Sequence, residues 1–103
     1  MKTVKERTRF TVTVKLRNGT TPNAPDTLHY RVDCRTTKRQ ILDWTEVASA
    51  SSVAVTILPA WNAIIDATNL IEQKSITFSA NMGTDDELND VYIWEVKNLQ
   101  GVL

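Results

Sequence analysis

Cys34 and His29 are the single thiol and the single imidazole of this chain. Brought together, they would supply a thiolate nucleophile and its base. They stand five residues apart in a stretch that alternates apolar and polar types, Leu28, Tyr30, Val32 and Cys34 against Thr27, His29, Arg31 and Asp33. On an extended strand an odd separation sends two side chains to opposite faces of the sheet. The alternation therefore predicts a buried, inert Cys34 and a solvent-facing His29, and no dyad.

Asp85, Asp86, Glu87 and Asp90 gather carboxylates in one short segment, the ligand type a hard cation needs. The segment lacks the spaced Asp/Asn-Gly pattern of a calcium loop and reads as a solvated hairpin tip. The same acids with Glu72 or Glu95 would make a two-carboxylate hydrolase, but spacing alone carries almost no information on that. Phosphate cradles need glycines in series, and Gly19, Gly83 and Gly101 are isolated. Arg35, Lys38 and Arg39 form a basic connection that could track a polynucleotide backbone. With a formal net charge of zero, nucleic acid is not the expected partner. No catalytic, cofactor-binding or metal-ligating residue is assigned, and no cofactor is expected.

The tryptophans are the remaining candidates. Trp44 shares strand parity with Leu42 and is expected in the core. Trp61 follows Pro59 in a loop, where it either plugs the open end of a sandwich or meets a partner. Trp94, with Tyr92, sits on a strand apolar on both parities and is read equally as core or as a contact strip.

The elements that must position these residues are strands. Phe10, Val12, Val14 and Leu16 alternate with Thr11, Thr13 and Lys15, and Ile76, Phe78, Ala80 and Met82 with Ser75, Thr77, Ser79 and Asn81, the period of a half-buried strand. The reading places strands over about 9–17, 27–34, 41–47, 53–58, 74–82 and 91–97, with a turn at Asn18-Gly19 and a loop through Pro22 and Pro25. Residues 60–72 are read as a loop with at most one helical turn. Val12, Val14, Leu28, Tyr30, Val32, Leu42, Trp44, Val55, Ile57, Ile76 and Phe78 are the expected core. At 103 residues, 42% of them hydrophobic, one domain is expected. Residues 1–9 form a basic arm or edge extension, and residues 10–103 an all-β, antiparallel sandwich of about seven strands without a disulfide.

The charge is unevenly placed. Residues 1–50 hold ten Lys and Arg against five Asp and Glu, whereas residues 51–103 hold two against seven. Such a division suits charge-complementary assembly. The N-terminal residues carry no apolar run of the secretory kind, and the most apolar stretch, residues 53–65, is too short to span a bilayer. The chain is expected to stay in the compartment where it is made, away from membranes.

Cys34 followed ten residues later by Trp44 resembles the core of an immunoglobulin domain, although Ala80 and Met82 stand where a second cysteine would be, which fits a fibronectin-like or other disulfide-free variant. In order, Tyr30–Cys34, Ile41–Thr45, Val53–Ile57, Gln73–Phe78 and Tyr92–Leu99 resemble the small immunoglobulin-like virion proteins of tailed bacteriophages. That resemblance implies a non-enzymatic structural protein of the virion, made in the host cytoplasm. It implies a capsid decoration or cement subunit, or a head-tail accessory subunit, present in many copies or as a homo-oligomer. Its partners would be the major capsid protein or head-tail and tail proteins. The alternative is a carbohydrate- or host-surface-binding module of a tail or fibre, with Trp61 or Trp94 as the stacking residue. An enzyme accessory domain or small hydrolase is the minor reading. Arg7, Arg9, Arg35, Arg39, Trp61, Tyr92 and Trp94 are the candidate interaction residues.

Overall fold

The computed structural model describes residues 1–18 and 21–100. Its strands are β1 (Lys2–Lys5), β2 (Phe10–Lys15), β3 (Arg17–Asn18), β4 (Thr21–Pro22), β5 (Leu28–Cys34), β6 (Arg39–Val47), β7 (Ser52–Ile57), β8 (Ile71–Ala80) and β9 (Leu88–Lys97). One turn of 3-10 helix, Pro59–Asn62, precedes the irregular segment leading to β8. Strands hold 56 of the described residues and helix almost none, which makes the fold all-β. Gly19 of the expected Asn18-Gly19 turn lies outside the described residues.

Five strands form the larger sheet, in the order β1-β9-β8-β5-β6, while β2 and β7 form a separate antiparallel pair and β3 and β4 a short one. The sheet is mixed, which corrects the expectation of a purely antiparallel sandwich. β1 runs parallel to β9, with Lys2 opposite Trp94 and Lys5 opposite Lys97. First and last strands have no hairpin between them, so no tight turn dictates their direction.

The β2–β7 pair lies on the larger sheet, and the core fills the space between. Val12, Val53, Val55 and Ile57 come from one layer, and Leu28, Val32, Ile76, Phe78, Ala80, Trp94 and Val96 from the other. Strict alternation does this: β7 is exposed and buried at successive residues from Ser52 to Ile57. Val14, Tyr30 and Leu42 of the expected core are partly buried and pack against the cluster.

Trp44 is the exception. Tyr30 pairs with Thr45 but Val32 pairs with Leu42, so two residues of β6, Asp43 and Trp44, face the single residue Arg31. This bulge reverses the phase of the strand. Leu42 points into the core on one side of it and Val47 on the other. Trp44 is turned to the outer face, half-buried, with the Arg31 guanidinium carbon 5.7 Å from its ring centroid. The core tryptophan is Trp94, fully buried, with the Phe10 ring edge-on at 5.4 Å.

Candidate functional site

At the start of β8 the core turns polar. Glu72 and Lys74 share the inward parity of Ile76, Phe78 and Ala80, and both are fully buried. Charged groups persist in such surroundings only when paired and hydrogen-bonded. The Glu72 carboxylate accepts from the amides of Ile65 and Asp66, each at 2.9 Å, from Asn69 Nδ2 at 3.0 Å and from Lys74 Nζ at 2.9 Å. Cys34 Sγ lies 3.8 Å from the same carboxylate as a weak donor. Burial pushes the Glu72 carboxyl up, but the Ile65 amide, the Asn69 side chain, the Asp66 amide and Lys74 together outweigh it and hold the group at about 2. Lys74 also donates to the Ala63 carbonyl at 3.0 Å.

The same end holds Asn62, also fully buried. Its Oδ1 accepts the Trp94 indole N–H at 2.7 Å, its Nδ2 donates to the Thr8 carbonyl at 2.6 Å, and its own carbonyl accepts the Arg7 amide at 2.9 Å. Asn98 Nδ2 donates to the Asn69 carbonyl at 3.1 Å. Thus Asn62, Glu72, Lys74 and Asn98 fasten the segment between β7 and β8 across the end of the sandwich. Cys34 is buried within this structure and His29 lies on the other face of β5, as the alternation requires. The expectation that His29 faces solvent is corrected: set between Glu46 and Ser79 on the neighbouring strands, its side chain is only 20% exposed.

On the outer face, Arg31 forms a two-pronged pair with Asp33, Nε at 2.8 Å and Nη2 at 2.6 Å, and that hydrogen bonding raises the guanidinium above its ordinary value. Glu46, His29 and Ser79 align across β6, β5 and β8, with His29 Nε2 3.6 Å from Glu46. The order is that of an acid, base and hydroxyl nucleophile. However, His29 Nδ1 and Ser79 Oγ are both buried without hydrogen-bond partners, so the nucleophile–base bond is not formed. An open groove of about 510 Å³ runs over the outer face near Asp33, Arg35, Lys38, Gln73, Ser75 and Thr77.

The register sorts the candidate interaction residues. Arg35 donates its amide to the Gln73 carbonyl, and Arg39 is opposite Cys34, which is opposite Lys74. Arg7 is tied to Asn62, and Arg9 precedes Phe10, whose ring meets Trp94. All four arginines therefore stand exposed at the end of the molecule where β8 begins. They form no ion pair with the described residues. Asp85, Asp86, Glu87 and Asp90 stand at the opposite end of β8, where Ala80 pairs with Leu88. The two charge groups lie towards opposite ends of β8 in a body 48 Å long and 22 by 19 Å across. Glu87 accepts from the Gly83 amide at 2.7 Å and from Asn89 at 3.0 Å, and these bonds hold its carboxyl below the usual range.

Of the aromatic candidates, Trp94 is withdrawn from the surface. Trp61 is partly buried against the core with its ring centroid 6.4 Å from that of Tyr30. Tyr92 keeps 38% of its surface exposed. The polar structure of Asn62, Glu72 and Lys74 escaped sequence reading because charged residues are read as surface. The available signal was parity, since Glu72 and Lys74 continue the inward series of Ile76 and Phe78.

Comparison with protein-family models, with curated proteins and with solved structures finds no match to this chain.

Proposed function

We propose that this protein is a non-enzymatic structural subunit of a tailed-bacteriophage virion. In this reading it is an immunoglobulin-like sandwich that decorates or cements the capsid, or serves at the head-tail junction, through protein–protein contacts. The observation that carries the reading is the gathering of Arg7, Arg9, Arg35 and Arg39 at one end of an elongated domain whose other end is acidic. A single exposed ion pair contributes little and is screened by salt. Repeated over the copies of a symmetric particle, such contacts select a partner and its orientation. The glycan-binding alternative needs an exposed flat ring. Burial of Trp94 and the packing of Trp61 leave it Tyr92 and the half-buried Trp44, so assembly is the better supported reading.

The test is mass spectrometry of purified particles of the phage that encodes the chain. The reading expects the protein at a fixed ratio to the major capsid subunit or to a tail component. Its absence from purified particles contradicts the reading.

A further inference from the structure

Half of one sheet edge is unfilled. β1 pairs with β9 only from Trp94 to Lys97, and among the described residues no strand lies beside β9 from Leu88 to Ile93 on the side away from β8. The direction of the free groups follows from their neighbours. The Lys97 carbonyl accepts from Glu6 at the β1 side, whereas the Asn98 amide donates to Leu70 at the β8 side. Odd-numbered residues of β9 therefore turn their N–H and C=O outward, which makes Asn89, Val91 and Ile93 the carriers of the open edge. The Val91 amide is occupied only by its neighbour, the Asp90 carboxylate, at 2.9 Å. Leu88 at 71%, Val91 at 44% and Tyr92 at 38% exposure lie along the same stretch. An open edge with apolar flanks is a template for another strand.

We infer that this edge pairs with its own counterpart on a second copy of the chain. The two β9 strands run antiparallel about a two-fold axis at Val91, joining two five-stranded sheets into one. At the axis the two Val91 residues exchange N–H and C=O, displacing Asp90, and Asn89 of each copy faces Ile93 of the other. Charge complementarity selects this occupant. The lane that the second β9 enters ends where β1 begins, at Lys2. Each copy's acidic tip, Asp85, Asp86 and Glu87, is thereby carried to the other copy's Lys2 and, beyond it, Lys5. In this register five of the six free residues pair, Asn89 to Ile93, while Leu88 reaches the start of β1, and five is a typical strand length. The self-complementary patch is what two-fold association requires. This inference does not rest on the virion reading, because it concerns the purified chain without particles and uses none of the four arginines.

Sedimentation velocity across a concentration series tests it. The wild type is expected to dimerise. Val91→Pro removes an outward N–H that β8 does not use, so it is expected to give a folded monomer, while Val91→Thr stays dimeric. Asp86→Lys with Glu87→Lys should raise the dimer dissociation constant about tenfold or more, and Lys2→Glu added to that variant should recover part of the loss. A wild type that is monomeric at every concentration overturns the inference, as does a folded Val91→Pro dimer. Uptake of an extended peptide on this edge by a monomeric wild type also overturns it. Should Val91→Pro fail to fold, charge reversal that leaves the dissociation constant unchanged overturns it independently.

Discussion

The indole N–H of Trp94 donates to Oδ1 of Asn62 at 2.7 Å, and neither residue is exposed to solvent. The bond couples the last strand of the larger sheet to the 3-10 turn after β7. Through Nδ2 and its own carbonyl, Asn62 extends that coupling to Thr8 and Arg7. One residue thus joins three segments distant in sequence.

Two tryptophan substitutions should separate core from outer face. Trp94→Ala is expected to cost about 3–5 kcal/mol, from lost packing and an orphaned Asn62. Trp44→Ala should cost about 1 kcal/mol or less, since it removes a half-buried ring and its contact with Arg31. Urea unfolding of both variants measures the difference. Equal losses would put Trp44 back in the core.

Much of the fold was legible because β2, β5, β7 and the second half of β8 alternate without interruption. Their inward residues, among them Val12, Val32, Val55 and Ile76, follow from parity alone. Trp44 was not legible: the bulge opposite Arg31 adds one residue to β6 and reverses every side chain beyond it, and nothing local in the sequence announces that. Glu72 and Lys74 failed for a different reason. A burial rule based on polarity assigns them to solvent, whereas five donors around one carboxylate make burial tolerable. The clustering of the four arginines was also hidden, because it depends on the pairing of β5, β6 and β8 and on where the chain before β2 is held.

The buried pair should respond asymmetrically to substitution. Glu72→Gln takes the counter-charge from the buried Lys74 and leaves it only neutral carbonyl acceptors, the introduced amide oxygen and that of Ala63, and should cost about 3–5 kcal/mol. Lys74→Met leaves the carboxylate with the Ile65, Asp66 and Asn69 donors, and should cost less, about 1–3 kcal/mol. Denaturant unfolding at neutral pH ranks the two. The reverse order would show that Lys74, not the amides, holds Glu72.

Acid stability follows from the same carboxylate. Its folded value of about 2 lies below the ordinary 4.5, so the folded state binds fewer protons than the unfolded chain in this window. The stabilisation is complete above about pH 4.5 and is lost as pH falls towards about 2, a change on the order of 3 kcal/mol. Unfolding followed from pH 6 to pH 2 in the wild type and in Glu72→Gln measures it. The substituted protein should lose distinctly less stability over this range, and parallel curves would contradict the assignment.

Cys34 should react slowly with thiol reagents, because it is fully buried and its sulfur faces Glu72. Labelling should accelerate in Glu72→Gln, where the covering segment loses its anchor. Rapid labelling of the native wild type would show that the segment between β7 and β8 opens freely.

The central proposal, that the domain is a phage subunit whose basic end docks it onto a virion, is tested most directly by co-sedimentation of purified protein with phage particles lacking this subunit. Wild-type protein should pellet with the particles at low salt and progressively less at high salt. Charge reversal at Arg7, Arg9, Arg35 and Arg39 together should abolish pelleting while leaving the fold intact. Equal pelleting of wild type and the reversed variant, or no pelleting of the wild type at any salt concentration, would contradict the account.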